Sequence, residues 1–203
     1  FVGDSSSSYN YNMNIPIRTY EKYNYTQQLF TADELEGVGT ISGVSFKKID
    51  NNTDLTRNIS IYMATTTQNN LAAGFISDAD FVLVYSGSHT FTNGWNRIDF
   101  TNSFSYGGAG NVILAVKDST PSANGIDYLY FTTHYTDGKM ALCANNSNYS
   151  YDSIPNTGNT PSYSDYVRNN VFFHYYPCDT AAVSCAAPLV TVIDVNATNA
   201  TVV

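Results

Sequence analysis

Apolar and polar positions alternate with a period of two along most of this chain, the pattern of strands buried on one face. Arg57–Ala64 is the cleanest case, with Ile59, Ile61 and Met63 on one side. Gly94–Thr101 puts Ile98 and Phe100 on one face and Arg97 and Asp99 on the other. Thr40–Ile49 reads as a strand whose apolar phase slips at Gly43, between Ile41 and the pair Val44 and Phe46, so a bulge is expected there. Phe81–Ser86 and His89–Thr92 flank Gly87 and read as paired or bent segments. Val112–Val116 is apolar throughout and should be a central strand buried on both faces. Tyr128–Thr133, Lys139–Cys143 and Val171–Tyr176 complete the set. Val112, Leu114, Val116, Ile59, Ile61, Phe46, Ile98 and Phe100 are the expected core.

Helical periodicity is nearly missing. One segment, Thr31-Ala32-Asp33-Glu34, matches a capping box, and Gly37 and Gly39 should stop it within about a turn and a half. Strand after strand with no helix between points to an all-β fold. The expected architecture is an antiparallel two-sheet β-sandwich, jelly-roll-like in the manner of galactose-binding domains.

Two stretches break the rhythm. Phe1–Asn14 is rich in Ser, Asn and Tyr. Ala144–Asn170 reads as one long loop carrying Tyr149, Tyr151, Tyr163, Tyr166 and Arg168. Long loops in compact domains commonly carry function, and Tyr offers a large contact area with few rotors to freeze. These four tyrosines and Arg168 are the candidate ligand contacts. At Cys178 the character changes, which divides the chain into a sandwich over 1–178, a linker over 179–184 and a separate tail over 185–203. The tail holds an apolar run from Leu189, a polar turn at Asn196–Asn199, and Val202–Val203. Two strands cannot close a core of their own.

Charge narrows the function. The chain has 203 residues, a net charge of −8 and only nine Lys plus Arg, so it lacks the basic stripe a nucleic-acid partner requires. No run is long enough for a transmembrane helix. A start at Phe1 is compatible with a removed export signal. Cys178 and Cys185 are expected to form a disulfide, the alternative being thiols, and Cys143 should be reduced and buried.

The chemistry of catalysis is hard to find. His89, His134 and His174 have no Cys, Asp or Glu at triad or metal spacing, and there is no nucleophile elbow. Asp50-Asn51-Asn52-Thr53-Asp54 begins like an EF-hand loop but has Leu55 where Gly is needed and Ile61 where the bidentate Glu belongs. It reads as a polar hairpin turn, and a structural calcium in another loop geometry stays open as the one cofactor. Gly107–Gly110 precedes a strand and is a turn. Asp33, Glu34 and Glu36 suit the first turn of a helix. Trp95 reads first as a core or sheet-edge residue, with a sugar platform as the alternative. The chain is therefore expected not to be an enzyme.

Two blocks resemble known families. Tyr23-Asn24-Tyr25-Thr26-Gln27-Gln28-Leu29-Phe30-Thr31-Ala32-Asp33-Glu34-Leu35, then Gly39–Phe46, Arg57–Met63, Gly94–Phe100, Phe104–Tyr106 and Asn111–Val116, resemble a Bacteroides-type exported surface domain. Cys185-Ala186-Ala187-Pro188 and the strands after it resemble the opening of a fibronectin type III module. The resemblance implies an extracellular or outer-surface location, downstream modules in the same polypeptide and no catalytic residues. A short Asp-Ser/Thr-apolar pattern linked to O-glycan addition in such proteins recurs at Asp118, Asp152 and Asp179. The expected function is a non-catalytic adhesion or interaction module binding a surface glycan or protein. The alternative is a carbohydrate-binding module attached to a secreted enzyme. Exposed Tyr or Trp beside Asn, Arg or Asp would favour sugar.

Overall fold

The computed structural model describes residues 1–4, 15–20, 22–35, 39–49, 54–121, 129–146, 163–176, 192–196 and 199–202. The fold is all-β and antiparallel, as the alternation predicts. The strands are β1 (Tyr23–Phe30), β2 (Gly39–Lys48), β3 (Leu55–Thr66), β4 (Val82–Phe91), β5 (Gly94–Tyr106), β6 (Asn111–Asp118), β7 (Thr133–Tyr135), β8 (Ala141–Asn146), β9 (Tyr163–Asp165), β10 (Val167–Asn169), β11 (Val171–Tyr175), β12 (Val192–Asn196) and β13 (Asn199–Val202). A six-stranded sheet runs β4-β3-β6-β1-β8-β9 and a three-stranded sheet runs β11-β2-β5. Strands β7 and β10 form a small pair, and β12 and β13 form a hairpin that is a sheet of its own.

One hydrophobic core joins the inner faces of the two main sheets. Ile59, Ile61, Met63, Val112, Leu114 and Val116 from the large sheet pack with Val44, Phe46, Ile98, Phe100, Val171 and Phe173 from the small one. All eight residues chosen from the alternation are buried. Charge closes one end of this core. Arg57 continues the inward row of β3, and its Nε donates to Asp118 Oδ2 of β6 at 2.7 Å. Both side chains have almost no exposed surface. Burial pushes the Asp118 carboxyl up, and Arg57 and the Thr120 amide draw it back.

The bulge at Gly43 is present: the β2–β5 register shifts between Ile41 and Gly43. A Cβ at Gly43 would lie 2.7 Å from the Ile98 carbonyl oxygen, so the close approach of β5 requires glycine. Gly94, at φ +97°, turns the chain from β4 in one sheet to β5 in the other.

Four expectations change. The two segments expected over Phe81–Thr92 are one strand, Val82–Phe91, with Gly87 opposite Ile59 inside it. Of Tyr128–Thr133, residue 128 lies outside the described residues and residues 129–132 form no strand: Phe131 makes a single bridge to Lys48, and β7 begins only at Thr133. Strands β2 and β3 lie in different sheets, so the 50–54 connection is no hairpin, and residues 50–53 lie outside the described residues. Ala144–Asn170 is not one loop, because β8 runs to Asn146 and β9 and β10 occupy its far end.

Strand β1 was not foreseen as a strand. It lies between β6 and β8 and is buried on both faces although half of it is polar. Each polar side chain clasps another part of the chain. Asn24 accepts from the Arg18 amide and donates to Cys143 Sγ at 3.0 Å. Thr26 donates to the Pro16 carbonyl. Gln27 donates to the Ile76 carbonyl and accepts from the Ile76 amide, both at 2.8 Å. Gln28 does the same with Asn169, through that residue's side chain and amide. The outer face of the large sheet is covered here by Leu71, Phe75, Ile76 and Phe81, which pack on Tyr25, Leu29, Tyr62 and Ile113.

Candidate functional site

The outer face of the small sheet is open, and the strand period decides what it shows. On β5, Trp95, Arg97 and Asp99 alternate with buried Asn96, Ile98 and Phe100. On β11, Phe172 and His174 alternate with Val171 and Phe173. The register sets Phe172, Ser45 and Arg97 in one row across the three strands, and His174, Gly43 and Asp99 in the next. Val2 pairs with Val171 beyond β11, which brings Phe1 onto this face.

Three rings then meet. Trp95 and Phe172 lie 4.6 Å apart between centroids, Phe1 and Phe172 4.8 Å, and Phe1 and Trp95 6.0 Å. Trp95 is 42% exposed and Phe1 47%. Trp95 is therefore an exposed ring on β5, the edge strand of the small sheet: of its two expected places, core or sheet edge, it takes the edge. Period two had already put it in phase with Arg97 and Asp99. Beneath the rings, Ser45 Oγ and His174 Nε2 share a hydrogen bond of 2.7 Å. Burial and the Arg97 charge lower the His174 pKa, and Asp99 opposes them. Arg97 and Asp99 pair at 2.7 Å on the surface.

Phe1 also borders a cleft of about 400 Å³, with Asp4, Glu34, His134 and Tyr135 on its walls. Tyr135 is 80% exposed. The polar wall is pre-arranged. Asn170 Nδ2 donates to the Asp4 carbonyl, so Oδ1 is its acceptor, and His134 Nδ1 must donate in their 2.7 Å bond. His134 Nε2 then accepts from Arg168 Nη2 at 3.1 Å. Burial and Arg168 lower the His134 pKa, while Asn170, Glu34 and Asp4 oppose them, so the ring is neutral near pH 7.

Arg168 is the residue whose expected role changes most. Its side chain has no exposed surface. The guanidinium donates to both oxygens of Glu34 and to the Leu29 carbonyl, with its carbon 4.4 Å from the centre of the Phe30 ring. It does not line the cleft itself but bonds two residues that do, Glu34 and His134. The capping box forms in part: Glu34 accepts from the Thr31 amide and hydroxyl, and its own amide bonds the Thr31 carbonyl. A one-turn 3-10 helix, Ala32–Leu35, results. Burial raises the Glu34 pKa, but Arg168 and Thr31 outweigh it and bring the carboxyl down to about 2.

Of the other candidates, Tyr166 is 51% exposed and borders β10. Tyr163 lies on β9, opposite Cys143 in register. Tyr149, Tyr151, Cys178 and Cys185 lie outside the described residues, and Cys143 is a buried thiol. Of the three Asp-Ser/Thr motifs, the first is built into a turn, with Ser119 donating to the Asn58 carbonyl and Thr120 accepting from the Asn58 amide. Among the described residues no group of His, Cys, Asp and Glu could hold a metal, and no helix is long and apolar enough to cross a membrane.

Searches against protein-family models, curated proteins and solved structures find no match.

A second hollow, between β3 and β4, is lined by Asn58, Ser60, Ser86, Gly87, Ser88 and Ser119 with Ile59, and contains no ring. The aromatic face and its cleft thus combine the two surfaces a polar ring-shaped ligand uses, a flat stacking area and oriented hydrogen-bonding groups.

Proposed function

We propose that this chain is a non-catalytic adhesion module of an exported bacterial surface protein, and that its partner is a glycan. The observation that carries the reading is the exposed Trp95–Phe172–Phe1 face beside Arg97 and Asp99, continuous through Phe1 with the cleft. A pyranose ring has an axial C–H face that lies on an aromatic ring and hydroxyls that hydrogen-bond at its rim. Trp95 supplies the first contact. His134, Glu34 and Asp4 line the cleft for the second. The resemblance of residues 20–117 to exported surface domains supports the outer-surface location and a jelly-roll-like topology.

The test is a glycan array with and without calcium, run on the wild-type chain and on Trp95→Ala. Binding by the wild type and its loss in Trp95→Ala support the reading. Wild-type silence across the array, or equal binding by the variant, overturns it.

A further inference from the structure

We infer that the site takes several consecutive sugars of a linear glycan and not one sugar alone, with Tyr135 as a second stacking ring at the far end of the cleft. This rests on the glycan reading above and names the form of its ligand.

The argument is the order of side chains along one stretch of main chain. Strand β10 passes into β11 with only Asn170 between them. The groups beside this stretch come in sequence. Phe1 packs on Phe172. Val2 pairs with Val171. The Asp4 carbonyl accepts from the Asn170 side chain. Further back, Arg168 lies opposite His134 and Val167 opposite Tyr135. Five residue steps of about 3.3 Å put Phe172 and Val167 about 16 Å apart. The Trp95–Phe172–Phe1 platform therefore stands at one end of a strip and Tyr135 at the other, and Phe1 and Tyr135 both border the cleft. A Cβ at Gly3 would collide with the Asn170 side chain, so glycine lets residues 1–4 lie close along the strip.

Each part suits a sugar. Tyr135 is highly exposed, and among the described residues its ring packs on no other ring and its hydroxyl makes no hydrogen bond. A large ring on a three-residue strand leaves its apolar face in water, where the C–H face of a sugar can cover it. In the cleft, Glu34 Oε2 accepts from Thr31 and Arg168, whereas Oε1 accepts from Arg168 Nη2 alone and keeps a lone pair for a hydroxyl. One pyranose can lie on Trp95 or on Tyr135 but is too short to lie on both. About three to four in a row reach along a strip of about 16 Å.

The experiment is calorimetric titration with three neutral linear ladders, each from mono- to hexasaccharide: cello-oligosaccharides, N-acetylated chito-oligosaccharides and malto-oligosaccharides. The proteins are the wild type, Trp95→Ala, Tyr135→Ala and Tyr135→Phe, with folding checked by urea unfolding. At least one ladder is expected to bind, with affinity rising up to about the tetrasaccharide, the length the strip admits, and level beyond it. Tyr135→Ala should weaken the hexasaccharide about three- to tenfold, the range one ring contact supplies, and leave the disaccharide unchanged, while Tyr135→Phe behaves as wild type. Trp95→Ala should weaken both lengths. Affinity already level at the disaccharide overturns the inference and leaves the glycan reading standing. So does a Tyr135→Ala variant that binds the hexasaccharide as the wild type does, or one that weakens disaccharide and hexasaccharide equally. Failure of all three ladders to bind also overturns the inference, whereas the glycan reading itself stands or falls on the array.

Discussion

Replacing Glu34 with Gln keeps the shape of the side chain and removes its charge. The buried Arg168 guanidinium then keeps the Leu29 carbonyl, His134 Nε2 and one amide oxygen, and loses its counter-ion. Stranding a buried charge costs about 3–5 kcal/mol in general. Glu34 is 35% exposed, so water supplies part of the compensation, and Gln retains a neutral hydrogen bond. The expected loss is about 2–3 kcal/mol at pH 7. The pH dependence gives a second, independent reading. The Glu34 carboxyl is held at about 2 in the fold against 4.5 for its ordinary value. Its folded pKa is depressed, so its contribution is fully present above 4.5 and is lost as pH falls toward 2. The linked free energy is about 3 kcal/mol at face value, and solvent screening of this partly exposed group brings it to about 1–2 kcal/mol. Urea unfolding of both proteins at pH 7 and near pH 2.5 measures the two gaps. The gap should shrink by that amount in acid. A loss under about 0.5 kcal/mol at pH 7, or a gap that does not change with pH, would refute the claim that Glu34 compensates Arg168.

Leu114→Ala should cost about 2–5 kcal/mol in the same assay, because Leu114 has no exposed surface and sits between the sheets. Gly43→Ala should also destabilise, since its Cβ meets main chain that cannot swing aside, and an unchanged urea midpoint would contradict the bulge geometry. Each of the three histidines titrates below 6.5 in the fold, chiefly through burial. The unfolded chain thus binds more protons, so stability should be full above about pH 6.5 and fall as pH drops below it, read from urea midpoints between about pH 8 and about pH 5. Deleting residues 179–203 should leave the melting temperature of the remainder almost unchanged, because among the described residues β12 and β13 pair with each other and with no strand of the sandwich.

The two-sheet core was legible because period two is a local signal. Ile59, Ile61, Val112, Leu114 and their partners announce their inward face within a few residues. Strand β1 was not legible as a strand, because Asn24, Thr26, Gln27 and Gln28 look like surface and are buried only through partners far along the chain. The site was legible in fragments. Arg97 and Asp99 were placed on the polar face of β5, and Trp95 shares their phase. Joining that face to residues 1–4, Glu34, His134 and Phe172 needs sheet order and register, which no local window contains. Arg168 misled for the same reason: its counter-ion is Glu34, 134 residues away, and a scarce cation with a distant partner looks, in sequence, like one waiting for a ligand.

The clasps on β1 have a consequence for time. The amides of Arg18 and Ile76 lie outside the strands and that of Asn169 ends the short strand β10, yet each donates to an Asn or Gln side chain rooted in a central strand. Such an amide exchanges its hydrogen with solvent only when that bond opens. Peripheral loops ordinarily exchange quickly. Here the three amides should exchange at rates set by β1, slowly and together, so the edge of the domain should keep the clock of its centre.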